Sequence, residues 1–423
     1  MKVILNQPVI DGRVKAIASK SHAHRVLIGA ALSDKITRVV CEESSDDIRA
    51  TVNCLRSIGA IIEEIKEGYM VTPIDFKNIS KHITIDCNES GSTLRFLLPL
   101  LCSIDAETDI YMQGRLPNRP LSPLYEELIE HGASISKQGI VPLRTKGCIV
   151  SGEYVLPANI SSQYISGLLF VLPLLSGDSK ITLTQKIESK SYIEMTIDAL
   201  RIYGIEVQWE DNVICVKGNQ KYISPSEVIV EGDWSNIAFW LGAAAINDRE
   251  ISCYNLKFDS LQGDKAMLDI LQDMGVDIIY ESYDTVILKK NGLNGTVIDA
   301  NNIPDLVPIL ALVASVSRGC TKIINAERLR LKESDRIESV VNTLSNLGAN
   351  IEETEEGIII YGKEELDGGV VDSYNDHRIA MMASVAAIVC KEAVIINNAE
   401  AINKSYSSFY EDYKKLGAEI TFE

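Results

Sequence analysis

Leu55-Arg56-Ser57-Ile58-Gly59-Ala60-Ile61-Ile62 reads as the end of an amphipathic helix, a glycine stop and the start of a strand. The signature returns as ELIEHGASI from Glu127, LRIYGIEV from Leu200, LQDMGVDI from Leu271, LSNLGANI from Leu344 and YKKLGAEI from Tyr413. Its glycines are Gly59, Gly132, Gly204, Gly275, Gly348 and Gly417, which recur roughly every 70 residues. A period this regular means one supersecondary unit repeated six times.

Each repeat also holds a second kind of helix, which starts polar and then turns almost wholly apolar. Ser21–Leu32, Ser90–Leu101, Ser161–Leu175, Asp233–Ile246, Pro304–Val316 and Asp376–Val389 fit this description. A helix apolar all round is a buried helix, and these runs are too short to cross a bilayer. The repeat is therefore one buried helix, one surface helix and a few strands, an α/β unit. The buried helices open on Ser, Thr, Asp or Asn, which cap helix N-termini. Such ends favour anions, although for any one helix an ordinary cap explains the residue equally well.

A chain of 423 residues exceeds one core, so two domains of three repeats each are expected. The boundaries read as residues 14–225 for the first domain and 1–13 plus 226–423 for the second, with a crossing near Pro225. The strand Met1–Leu5 falls outside the first repeat and is assigned to the C-terminal domain. Nine scattered cysteines with no C-x-x-C pair argue for reduced thiols in a cytoplasmic protein rather than a disulfide framework or zinc site. A formal net charge of −18 opposes nucleic acid or an anionic membrane as partner.

Against that acidic background, the helix entrances are basic. Ser19–Arg25 (SKSHAHR) sets Lys20 and His24, and likewise Ser21 and Arg25, one turn apart. Gly91–Arg95 (GSTLR), Arg115–Pro120 (RLPNRP), Ser161–Tyr164 (SSQY), Ser189–Tyr192 (SKSY), Arg328–Arg336 (RLRLKESDR), Asn375–Arg378 (NDHR) and Lys404 continue the pattern. Forked arginines, lysines, hydroxyls and helix N-termini are what hold phosphates and carboxylates. Two acids lie among these cations. Asp305 follows Ile303-Pro304 and reads as the cap of the fifth buried helix. Glu333 lies between Lys332 and Ser334, near Arg336. A carboxylate in a dry, charged cleft can be tuned for proton transfer, whereas an N-cap and a surface ion pair are the bland readings. With no P-loop, no Rossmann glycine motif and no nucleophile elbow, proton transfer without a metal or organic cofactor is expected.

The layout as a whole, with KSHAHR, GSTLR, NRP, SSQ, SKSY, IPD, LKESDR, NDHR and a late lysine, resembles the 5-enolpyruvylshikimate-3-phosphate synthase family of enolpyruvyl transferases. The resemblance spans essentially the whole chain. It implies two domains of three βαβαββ-type units, an inside-out six-fold repeat, with the active site in the cleft between them. It implies transfer of the enolpyruvyl group of phosphoenolpyruvate to the 5-hydroxyl of shikimate 3-phosphate, by addition and elimination through a tetrahedral intermediate, in aromatic amino acid biosynthesis. Both substrates are small molecules, and a monomer is expected. The resemblance gives Lys20 to both substrates, and Ser21, Arg25, Ser161, Ser162, Gln163, Ser189 and Tyr192 to shikimate 3-phosphate. Gly91 would admit phosphoenolpyruvate, and Arg119, Arg336, Arg378 and Lys404 would clamp it. Asp305 would bind the shikimate hydroxyls and take the 5-hydroxyl proton, Glu333 would protonate the methylene carbon with Lys20 as the third catalytic residue, and Lys332 would hold the shikimate hydroxyls. Shikimate 3-phosphate is expected to draw the halves together, which small-angle scattering would register as compaction.

The chain departs from the common family pattern at Ala18-Ser19, at Glu89 and at Arg328. Three alternatives stand beside this reading. The sister transferase acting on UDP-N-acetylglucosamine typically carries Lys-Asn near its start and often a loop cysteine, where this chain has Lys20-Ser21 and GRLPNRPLSP. A non-catalytic phosphate-ligand binding protein needs no acids like Asp305 and Glu333 beside its anion. A ring-forming interaction protein needs no paired cations at its helix entrances.

Overall fold

In the computed structural model, which describes residues Met1–Glu423, all six signature glycines take positive φ, from 73° at Gly204 to 122° at Gly59. Gly59 shows why a glycine is needed. Its N–H bonds to the Leu55 and Arg56 carbonyls, and the Ala60 N–H bonds back to Leu55 O at 3.0 Å. These bonds cap the helix only if Gly59 turns left-handed, which a Cβ resists.

The helices are α1 (Lys20–Leu32), α2 (Asp46–Ile58), α3 (Gly91–Leu101), α4 (Leu124–Glu130), α5 (Ser162–Val171), α6 (Lys190–Ile202), α7 (Trp234–Ile246), α8 (Met267–Asp273), α9 (Val307–Ser315), α10 (Arg336–Asn346), α11 (His377–Ala386) and α12 (Phe409–Lys415). The odd-numbered helices are the buried ones, and all of α7 and α9 is buried. The even-numbered helices carry an apolar stripe and end at the signature glycines. Ser90, Ser161, Asp233 and Asp376 cap α3, α5, α7 and α11 with side-chain hydrogen bonds, as the sequence implies.

There are six four-stranded sheets, one per repeat. In the second repeat, the strands lie in the order His82–Asp86, Glu107–Tyr111, Leu143–Lys146, Ser134–Ile135. The first pair is parallel and the others are antiparallel, so the repeat is βαβαββ. The mixed α/β architecture expected from the sequence is present. Lys2–Leu5 sits in the sixth sheet between Val394–Asn397 and Ile420–Phe422.

The chain divides into a domain of Lys20–Val230 and a domain of Met1–Ser19 plus Glu231–Glu423. The boundaries expected at 13/14 and 225/226 are corrected by strand pairing. Gly12–Lys15 runs parallel to Ile251–Tyr254 and so belongs to the C-terminal domain. Glu227–Ile229 runs parallel to Thr37–Val40 and so belongs to the N-terminal domain. The strand that precedes α1 in sequence completes the fourth sheet, and the strand that precedes α7 completes the first. In the C-terminal domain α7, α9 and α11 pack on one another, with Trp240 stacked on Phe409 at 4.7 Å and bonded to Tyr406 Oη at 3.0 Å. No helix is long and apolar enough to cross a membrane.

Candidate functional site

In the N-terminal domain most of the expected residues lie at the entrances of α1, α3, α5 and α6, and Arg119 follows the 3-10 turn Leu116–Asn118. Lys20 opens α1, and its Nζ meets Asp47 Oδ2 at 2.9 Å, from the acidic first turn of α2. One turn on, Arg25 is 2% exposed, and its donors all go to neutral oxygens. Nε donates to Thr196 Oγ1 at 2.8 Å, Nη1 to the Ser21 carbonyl at 2.6 Å and Nη2 to the Tyr192 carbonyl at 2.9 Å. Its guanidinium lies 5.0 Å from the Phe96 ring centroid. Burial lowers its pKa to about 10, and no carboxylate pairs with it. A desolvated cation without a counterion is costly unless a ligand supplies the charge.

Ser189 opens α6 in a left-handed conformation, φ 52°, and delivers Tyr192 to Arg25. At α3, a Cβ on Gly91 would lie 2.8 Å from Arg119 Nη1 and 3.0 Å from Arg95 Nη1. The bare backbone there makes room for two guanidiniums beside a helix N-terminus. Arg95 Nη1 donates to Gln163 Oε1 at 2.8 Å, and Gln163 Nε2 donates to Ser92 Oγ at 2.8 Å. Ser161 caps α5, and Ser162 is buried in its first turn. Gln163 thus ties the entrance of α5 to that of α3. The Glu89 carboxylate lies against Gly114, where a Cβ would come within 2.5 Å of Oε2.

In the C-terminal domain the second group centres on Arg336, at the start of α10. Its Nε donates to Asp376 Oδ2 at 2.8 Å, Nη1 to Asp305 Oδ1 at 2.6 Å and Nη2 to Glu333 Oε2 at 2.7 Å. Arg378 Nη2 reaches the other Asp305 oxygen at 3.0 Å, and Lys332 Nζ lies 3.7 Å from Oδ1. Burial pushes the Asp305 carboxyl up, but Arg378, Lys332 and Arg336 outweigh it and hold the group well below the usual carboxylate range. Burial lowers the Lys332 ammonium to about 8, against the pull of Asp305. Arg336 is raised despite its burial by Asp376, Glu333 and Asp305, so it stays charged.

Asp305 is not the cap that its place in the sequence suggests. It lies in the 3-10 turn Pro304–Leu306 ahead of α9 and makes no capping bond. Charge-assisted bonds to two arginines outcompete a neutral N–H for the same oxygens. Lys404 Nζ bonds the Asn375 carbonyl at 2.6 Å, beside the cap of α11. Arg328 Nη2 bonds the Asn301 carbonyl at 2.7 Å, which fixes the loop leading into Asp305.

The expected residues therefore fall into two groups, one in each domain. Four partners lie outside the expected set. Asp376 is wholly buried and holds Arg336, though its place in NDHR reads as a plain cap. Asp47 reads as an ordinary acid in a helix first turn. Arg95 ends the GSTLR motif, and only the tertiary fold turns it toward Gln163. Thr196, which holds Arg25, carries no sequence signal. No cluster of three His, Cys, Asp or Glu side chains is arranged to hold a metal ion.

The chain matches the family model described as EPSP synthase (3-phosphoshikimate 1-carboxyvinyltransferase) over residues 6–413. It is 45% identical to the 3-phosphoshikimate 1-carboxyvinyltransferase of Clostridium beijerinckii over 420 residues, covering 96% of this chain and 95% of that one. Against the enzyme of the same name from Clostridium acetobutylicum it is 44% identical over 423 residues, with 99% and 98% covered. Its fold superposes on a solved EPSP synthase of Acinetobacter baumannii with a TM-score of 0.83 at 25% identity, over 100% of both chains. The family model and the relatives match over nearly the whole length, and the chain belongs to the EPSP synthase (3-phosphoshikimate 1-carboxyvinyltransferase) family.

Proposed function

We propose that this protein transfers the enolpyruvyl group of phosphoenolpyruvate to the 5-hydroxyl of shikimate 3-phosphate and releases phosphate, in aromatic amino acid biosynthesis. The observation that carries the chemistry is Asp305, a carboxylate masked by three cations, each of which can bind an oxyanion instead. When the phosphate and carboxylate of phosphoenolpyruvate take Arg336, Arg378 and Lys404, with Arg119 from the other group, Asp305 loses two of its three counterions and its pKa rises. Substrate binding thus turns a weak base into one able to accept the 5-hydroxyl proton. Glu333 protonates the methylene carbon as the hydroxyl oxygen adds to its neighbour. Phosphate then leaves, and a proton lost from the new methyl restores the double bond. Lys332 holds the shikimate hydroxyls, and Lys20, released from Asp47, meets both substrates. Arg25, Ser21, Ser161, Ser162, Gln163, Ser189 and Tyr192 hold shikimate 3-phosphate, and Gly91 leaves space for phosphoenolpyruvate. The reading includes a cytoplasmic monomer, on its cysteine usage and family.

The deciding assay is phosphate release from phosphoenolpyruvate, with shikimate 3-phosphate or UDP-N-acetylglucosamine as acceptor. Release only with shikimate 3-phosphate, lost in Glu333→Ala, is expected. Release only with the sugar nucleotide would assign the chain to the sister reaction. Tight binding without release from either would leave a binding protein.

Arg25 gives a second test. Arg25→Met removes a desolvated cation and fills the space against Phe96, so the ligand-free protein keeps or gains thermal stability. Shikimate 3-phosphate binding weakens by about 2–4 kcal/mol, as when one partner of a buried charge pair is truncated. A variant that binds normally would remove Arg25 from the site.

A further inference from the structure

Asp264 lies in the turn Gly263–Ala266, 1% exposed, outside every residue assigned so far. Its Oδ2 accepts the Ser235 hydroxyl, and its Oδ1 is buried with no hydrogen-bond partner. The carbonyl of the same Ser235 accepts Arg378 Nη1 at 3.2 Å, and Arg378 Nη2 reaches Asp305 at 3.0 Å. The first turn of α7 therefore connects Asp264 to the Arg378–Asp305 pair. The charged groups around it are few. Asp233 caps α7, Asp305 comes from the turn before α9, and Arg378 comes from α11. Lys265, on its own turn, bonds the Phe258 carbonyl instead, and Asp269 of α8 is exposed. His377, next to Arg378, lies 3.8 Å from Asp376.

An isolated carboxylate in such a place serves packing poorly, because an amide or an apolar side chain fills the space without the desolvation cost. We propose that Asp264 is a positioning residue that sets, through Ser235 and Arg378, how strongly the site holds an oxyanion. This rests on the reading that Arg378 binds an anionic substrate. Burial first, then Asp305, pushes the Asp264 carboxyl up to about 7, against the opposing pull of Arg378 and the Ser235 hydroxyl. Below that pH, Asp264 is neutral and adds no negative charge to that of Asp305 beside Arg378. Above it, a second negative charge competes for the same guanidinium and repels the incoming anion.

The test uses full-length protein and two readouts. Sulfate, whose charge is constant between about pH 6 and about pH 9, probes the site without turnover. Its affinity falls about fivefold or more as pH rises through Asp264's titration. Asp264→Asn abolishes that fall and keeps the low-pH affinity. The later loss as Lys332 deprotonates near pH 8 remains. Ser235→Ala removes a donor that favours the ionised acid, so its fall moves to higher pH. The KM for phosphoenolpyruvate follows the same pattern in all three proteins, with the change in KM rather than kcat. An Asp264→Asn profile that overlays the wild type, for sulfate or for KM, overturns the proposal. A wild type that binds sulfate with the expected profile but releases no phosphate from phosphoenolpyruvate leaves Asp264's role standing and removes the enzymatic reading instead.

Discussion

Asp305→Asn lowers kcat by about 10²–10⁴, the usual contribution of a positioned acid or base. KM for phosphoenolpyruvate stays level or falls. The split follows from the contacts: Asp305 shares Arg336 and Arg378 and neighbours Lys332, so the neutral amide leaves those cations available to the substrate's oxyanions. Losing a residue that only bound substrate would raise KM, and losing one that only supported the fold would lower Tm. Steady-state kinetics beside thermal denaturation separate the three cases. A rise in KM with kcat unchanged would remove Asp305 from proton transfer.

Arg336→Ala gives the largest loss of stability. The side chain is buried, and its guanidinium serves three carboxylates, of which Asp376 is fully buried and held by both Nε and Nη2. Deleting the cation strands these charges, at a cost of about 3–5 kcal/mol. For a domain of this size that is roughly a 10 °C fall in Tm. Arg336→Lys recovers less than half, because one ammonium cannot reach three acceptors on divergent vectors. The pH dependence has a definite sign. The wild-type cluster holds Asp305 below its ordinary pKa, so its stabilisation is present above that value and is lost as acid protonates the folded form. In Arg336→Ala the stranded acids protonate readily, and the deficit narrows as pH falls. A Tm within a degree or so of wild type near neutral pH would show that the cluster is not structural.

The sequence makes the repeat visible because its punctuation is local. Gly59 and its five counterparts each need a backbone conformation that glycine supplies, and the apolar helices between them have nowhere to go but inside. The basic helix entrances were legible for a similar reason, standing out against an acidic chain. What hid was tertiary. Gly12–Lys15 and Glu227–Ile229 are short strands, with Val14 and Val228 as their buried side chains, so nothing local says which sheet claims them. Asp305 follows a proline and precedes an apolar helix, the local pattern of a cap. Its true partners lie 31 and 73 residues away in sequence. Thr196 and Asp264 matter only through the arginines they adjoin or reach.

The placement of Lys2–Leu5 has a consequence for synthesis. Val3 pairs with Ile396 and Phe422, so this strand meets its partners only after those distant residues have emerged from the ribosome. At about 5–20 residues per second of elongation the wait is about 20–80 s. Val3 and Leu5, fully buried in the finished protein, spend that interval without the strands that cover them. The N-terminal domain waits only until Glu227–Ile229 has cleared the exit tunnel, and so has a head start during translation. A gene split at the midpoint would have to place its cuts with these exchanged strands in mind.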